Sequence, residues 1–90
     1  MNVKEAVKLA MQYVADLFEE EKIENLGLEE VEFDEPENAW HVTIGFSRPW
    51  DRLSGISLRN TLSRSYKVVA INDGTAKILS VKNREVSTAA

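Results

Sequence analysis

Ala39-Trp40-His41-Val42-Thr43-Ile44-Gly45-Phe46-Ser47 places Trp40, Val42, Ile44 and Phe46 on one side of an extended chain and His41, Thr43, Gly45 and Ser47 on the other. That period of two belongs to a strand with one buried face and is out of phase with a helix. An isolated strand cannot bury such a face, so the neighbouring segments must supply partners. Upstream, Glu30-Val31-Glu32-Phe33-Asp34 repeats the alternation with carboxylates on its polar side, and Glu35-Pro36-Glu37-Asn38 separates the two runs. Proline fixes φ and asparagine tolerates the left-handed region, which makes this a turn between paired strands. Downstream, Tyr66–Ile71 and Ala76–Val81 flank Asn72-Asp73-Gly74-Thr75, and the Asp-Gly pair is a short-range hairpin signal.

The N-terminal segment has a different period. Apolar residues at Val3, Val7, Ala10, Val14 and Leu17, reinforced by Ala6, Met11 and Phe18, mark one helix face. Asn2 followed by Glu5 has the spacing of a capping box, so the helix is expected to start there and to fray through Glu19-Glu20-Glu21 before Gly27. The fold class expected is α+β: one N-terminal helix packed on a four-stranded antiparallel meander sheet. The apolar stripe of the helix should cover the face bearing Val31, Phe33, Trp40, Val42 and Ile44. Carboxylates, His41, Thr43 and lysines should face solvent.

Ninety residues support one core, which places a single domain at residues 1–85 and leaves 86–90, small and polar, as an expected disordered tail. A core of this size yields about 5–10 kcal/mol of stability and has little room for a buried cofactor, so none is expected. The chain has no cysteine, which removes disulfides, thiolate metal sites and cysteine nucleophiles together. Met1-Asn2-Val3-Lys4-Glu5 shows neither a signal peptide nor a membrane span, and a cytoplasmic location is the expectation.

The net charge of −4 hides an asymmetry. Residues 1–47 carry twelve acidic and three basic side chains, a net of −9, whereas residues 48–90 carry eight basic and three acidic, a net of +5. Such a division permits a molecule with an acidic and a basic side. The base begins abruptly in residues 48–64, a stretch with no dominant period that reads as a connector containing at most a short helix capped by Ser57.

Arg48, Arg52, Arg59, Arg64 and Lys67, interleaved with Trp50 and Tyr66, are the candidate partner-binding residues. Tryptophan and arginine dominate protein-interface hot spots, so Arg48, Trp50, Arg52, Arg59, Arg64 and Lys67 read first as a contact surface for a protein. That protein has an acidic surface or is a second copy of the chain. The same residues also offer phosphate-binding charge and stacking rings, which makes nucleic acid the alternative, set against an overall acidic chain with no nucleic-acid motif. A minimal enzyme using His41 is a third reading, and it needs a nucleophile and an orienting acid around the single histidine. One histidine excludes a histidine-based metal cluster, and the carboxylates of Glu30 to Glu37 lack the glycine-turn spacing of a calcium loop, so no metal site is expected.

Ala39-Trp40-His41-Val42-Thr43-Ile44 resembles the aromatic-containing first strand of PepSY-type domains, and Tyr66–Leu79 is similar to the closing hairpin of that family. With the N-terminal helix, the resemblance covers most of the chain. Gly74 precedes Thr75 where the family places glycine after threonine, and the Arg48–Arg64 connector departs from the pattern. The resemblance implies a helix on an antiparallel sheet and a non-catalytic module that binds or restrains a protein partner. It assigns no site residue.

Overall fold

A computed structural model describes residues 1–49 and 64–84. Chain order runs α1 (Val3–Leu17), a 3-10 turn (Glu19–Glu21), β1 (Glu24–Asp34), β2 (Ala39–Ser47), β3 (Ser65–Asn72) and β4 (Ile78–Asn83). The four strands form one antiparallel sheet in sequence order, and α1 lies across one face over β1 and β2 with its margin on β3. This is the α+β arrangement that the two sequence periods require. The expected short helix near Ser57 and the expected tail at 86–90 lie outside the described residues.

Helix α1 begins where its cap permits. The Asn2 side chain accepts from the Glu5 amide at 2.8 Å, and the Glu5 carboxylate accepts from the Asn2 amide at 2.9 Å, so two orphan donors of the first turn are satisfied. The buried stripe is Ala6, Ala10 and Val14, fully inaccessible, whereas Val3 and Leu17 remain about half exposed. The helix is therefore rotated toward its alanines relative to the expected stripe. Small side chains let the helix axis approach the sheet closely, and the larger Val7, Leu9 and Met11 fill the margins.

The helix does not fray into its acids. Phe18 closes α1, one 3-10 turn follows, and Lys22 at φ 51° redirects the chain into β1. The strand starts at Glu24, six residues before the alternation becomes visible in the sequence. Two irregularities, between Glu24 and Gly27 and between Leu28 and Glu30, break the pairing with β2 and mask the period of two. The second lets consecutive Glu29 and Glu30 both reach the face opposite the helix, where they meet Arg64 and Arg84.

Beneath the helix lie Val42, Ile44, Phe46, Val69 and Ile71, all fully buried. Phe33 and Trp40, paired across β1 and β2, meet in a tilted contact with 5.0 Å between ring centres. Both hairpin turns use a left-handed residue. Asn38 takes φ 52° in the β1–β2 turn, but in the β3–β4 turn the left-handed residue is Ala76 at φ 61°, not Gly74. The Asn72 side chain accepts from the Thr75 amide and hydroxyl, the Ala76 amide donates to the Asn72 carbonyl, and the strand pair closes as Asn72 donates to Lys77. The two turns are joined, since the Asp73 amide donates to the Asn38 carbonyl at 2.9 Å.

Candidate functional site

The connection between β2 and β3 is the anomaly of the fold. Phe46 and Ser65 are paired neighbours in adjacent antiparallel strands, a junction that a two-residue turn can close. The chain instead leaves at Arg48 and returns at Arg64, an excursion of residues 48–64. Connections in compact domains are mostly about 4–6 residues long, and connecting segments positioned by a rigid scaffold often carry function.

Arg48 secures the outgoing end on the helix side of the sheet. Its Nε lies 2.6 Å from Glu21 Oε1, a second guanidinium nitrogen donates to the Ser65 hydroxyl at 2.5 Å, and the cation sits 5.1 Å from the Phe46 ring centre and 5.9 Å from that of Phe18. Phe18 and Phe46 are themselves in tilted contact at 5.2 Å. Lys67 approaches the same Phe18 ring at 5.5 Å and donates to Asn83 Oδ1. An aromatic ring with two cations gains from both, and neither head group is stripped of polar partners.

Arg64 secures the returning end on the opposite face. It donates to the Asn25 carbonyl at 3.1 Å and pairs with Glu29 at 3.4 Å. It lies directly over Gly45, where a Cβ would come within 2.8 Å of the guanidinium and 2.9 Å of the Glu29 carboxylate. Gly45 is thus the gap in the pleat through which the arginine reaches across the sheet. Of the six residues nominated from sequence, Arg48 and Lys67 are brought together around Phe18, Arg64 is placed on the other face, and Trp50, Arg52 and Arg59 lie outside the described residues.

These contacts also decide the question of charge. The described arginines of the second half fold onto carboxylates of the first: Arg48 on Glu21, Arg64 on Glu29, and Arg84 on Glu30 at 3.4 Å. Among the described residues, these ion pairs join the basic half to the acidic half, so the two are not held apart there.

The face away from the helix carries a polar hollow of about 240 Å³ lined by Glu30, Glu32, His41, Thr43, Val68 and Arg84. Thr43, expected to be solvated, is 5% exposed beneath this cover. At the turn end of the face, His41 Nε2 lies 3.6 Å from Glu37 Oε1, and ligand atoms of Asp34, Glu37 and His41 fall within 4.8 Å of one another. The pairing of Asp34 with Ala39, which the turn residues Glu35–Asn38 imply, folds the turn back and brings positions 34, 37 and 41 to one spot, a convergence that the linear spacing of the carboxylates does not reveal.

Asp73 forms a separate lock in the β3–β4 turn. Its Oδ1 accepts from the Trp40 indole at 2.9 Å and from the Met1 amine at 3.2 Å, and these two donors hold its carboxyl below the ordinary carboxylate value. Among the described residues no helix is long and apolar enough to cross a membrane. Comparison with protein-family models, curated proteins and solved structures finds no match to this chain.

Proposed function

We propose that this protein is a non-enzymatic interaction module that captures a protein with an acidic surface through the excursion between β2 and β3. The observation that carries this reading is the excursion itself: residues 48–64 replace a tight turn, and the arginines at both ends are spent on anchoring to opposite faces of a rigid sheet. A segment held at both ends on a packed scaffold loses less entropy on binding than a free segment of the same length. Arg48 and Arg64 then serve as anchors, Lys67 supports Phe18, and Trp50, Arg52 and Arg59 are the residues offered to the partner. The likeness to PepSY-type modules supports the same non-catalytic role.

Phosphate recognition by these arginines is less favoured, because Glu21 and Glu29 already occupy Arg48 and Arg64 and leave carboxylates beside any incoming polyanion. The test is partner capture with the purified chain as bait. Trp50→Ala or Arg52→Ala is expected to abolish capture with the far-ultraviolet spectrum unchanged. Undiminished capture by both variants overturns the reading.

A further inference from the structure

We propose that Asp34, Glu37 and His41 form a binding site for a divalent transition-metal ion of the zinc class, built by the β1–β2 turn on the face away from the helix. The three residues offer one imidazole nitrogen and two carboxylate oxygens within 4.8 Å of one another. Three ligands bound at about 2.0–2.2 Å to a tetrahedral ion sit roughly 3.4 Å apart. Glu37 and His41 are already near that separation at 3.6 Å. Glu37 is well exposed and His41 partly so, which leaves Glu37 room to turn toward the imidazole.

The backbone that presents these ligands is fixed. Asp34 pairs with Ala39, Asn38 holds the left-handed corner, and the Asn38 carbonyl is tied to the second hairpin through the Asp73 amide. Asp34 Oδ1 also accepts from the Glu37 amide at 3.4 Å, which orients its carboxylate toward the turn. Outer contacts of that kind set ligand direction in metal sites. Neighbouring carboxylates do not converge in this way: Glu29 and Glu30 are taken by Arg64 and Arg84. Glu32, directly across from His41 in the register, stands where it can add to the negative field.

Ligand chemistry selects the ion. An imidazole nitrogen favours zinc, copper and nickel over magnesium and calcium, which take all-oxygen shells of six or more. Three protein ligands leave the remaining positions to water, the open arrangement rather than the closed structural one. The site is independent of the β2–β3 excursion and stands or falls apart from the proposed function.

The experiment is calorimetric titration of zinc chloride into the untagged full-length chain, with the His41 ring followed by nuclear magnetic resonance. Saturable one-to-one binding with a Kd below about 1 mM is expected, with the His41 ring signals shifted by zinc and unmoved by the same concentration of magnesium. His41→Ala and Glu37→Gln, neither of which removes a core side chain, are each expected to weaken binding by about 10-fold or more. No saturation below about 1 mM, or unchanged affinity in His41→Ala, overturns the proposal.

Discussion

Arg48 and Glu21, 27 positions apart, meet with Nε 2.6 Å from Oε1 at the point where the helix exit crosses the start of the β2–β3 excursion. Glu19, Glu20 and Glu21 stand together at the negative end of α1, an unfavourable placement that a cation relieves. Arg48 supplies that charge and places its guanidinium within cation–π range of the Phe46 and Phe18 rings. One side chain therefore caps the acidic turn, covers two core rings and secures the excursion.

Arg48→Ala removes ring contact, hydrogen bonds and charge together and is expected to lower stability by about 1–2 kcal/mol. Glu21→Gln removes only a partly exposed charge and should lower it by less than about 1 kcal/mol. Urea denaturation of the two variants checks the order, and a larger loss from Glu21→Gln contradicts it. Arg48→Lys is not expected to restore the wild-type value, because a single ammonium lacks the fork by which two guanidinium nitrogens bond Glu21 and Ser65 separately.

Ala76 occupies the left-handed region at φ 61°, where a Cβ is unfavourable by about 1–2 kcal/mol. Part of that gain is offset by the greater freedom of glycine in the unfolded chain, so Ala76→Gly is expected to raise stability by about 0.5–1 kcal/mol. Ala76→Val should lower it, since a β-branched residue resists this conformation. Thermal melting of both variants decides the sign.

Asp73 links acid sensitivity to the turn. Its folded-state carboxyl is held below the usual value, so its stabilising contribution is fully present above the unfolded carboxylate range near about pH 4 and is lost as pH falls through the lowered value. Asp73→Asn is expected to flatten that acid limb of the stability–pH profile and to change Trp40 fluorescence, because the indole loses its charged acceptor. An acid limb identical in both proteins contradicts the assignment.

Gly45 makes room for a guanidinium and not for a special backbone angle. The atoms nearest its virtual Cβ are mainly the far ends of Arg64 and Glu29, which can swing away, so Gly45→Ala is expected to change stability by less than about 1 kcal/mol. The effect to look for is on salt dependence. With Arg64 displaced from Glu29, the variant should respond less to added salt than the parent, and an unchanged response contradicts the arrangement.

Most of the scaffold is readable from residue order because local and tertiary preferences agree in those elements. Strand β2 alternates without interruption, and Asn2 with Glu5 marks the helix start. The early half of β1 is illegible because Asn25, at φ 56°, and the irregularity beside Glu29 disrupt the alternation that would reveal a strand. Asp-Gly correctly signals a hairpin, but Asn72 builds the turn with its side chain and moves the left-handed position to Ala76. The arginines look like one cluster in sequence. Only the register shows that Arg48 leaves on the helix side while Arg64 returns over Gly45 on the other, each already holding a carboxylate.

The central claim is that a self-contained sheet and helix present the excursion to a protein partner. The most direct measurement is capture by a chain in which residues 50–63 are replaced by a short glycine–asparagine turn, with Arg48 and Arg64 kept in place. The shortened chain is expected to retain its far-ultraviolet spectrum and a cooperative melt, and to lose the proteins that the parent captures and Trp50→Ala does not. Capture of the same proteins by the shortened chain would contradict the claim.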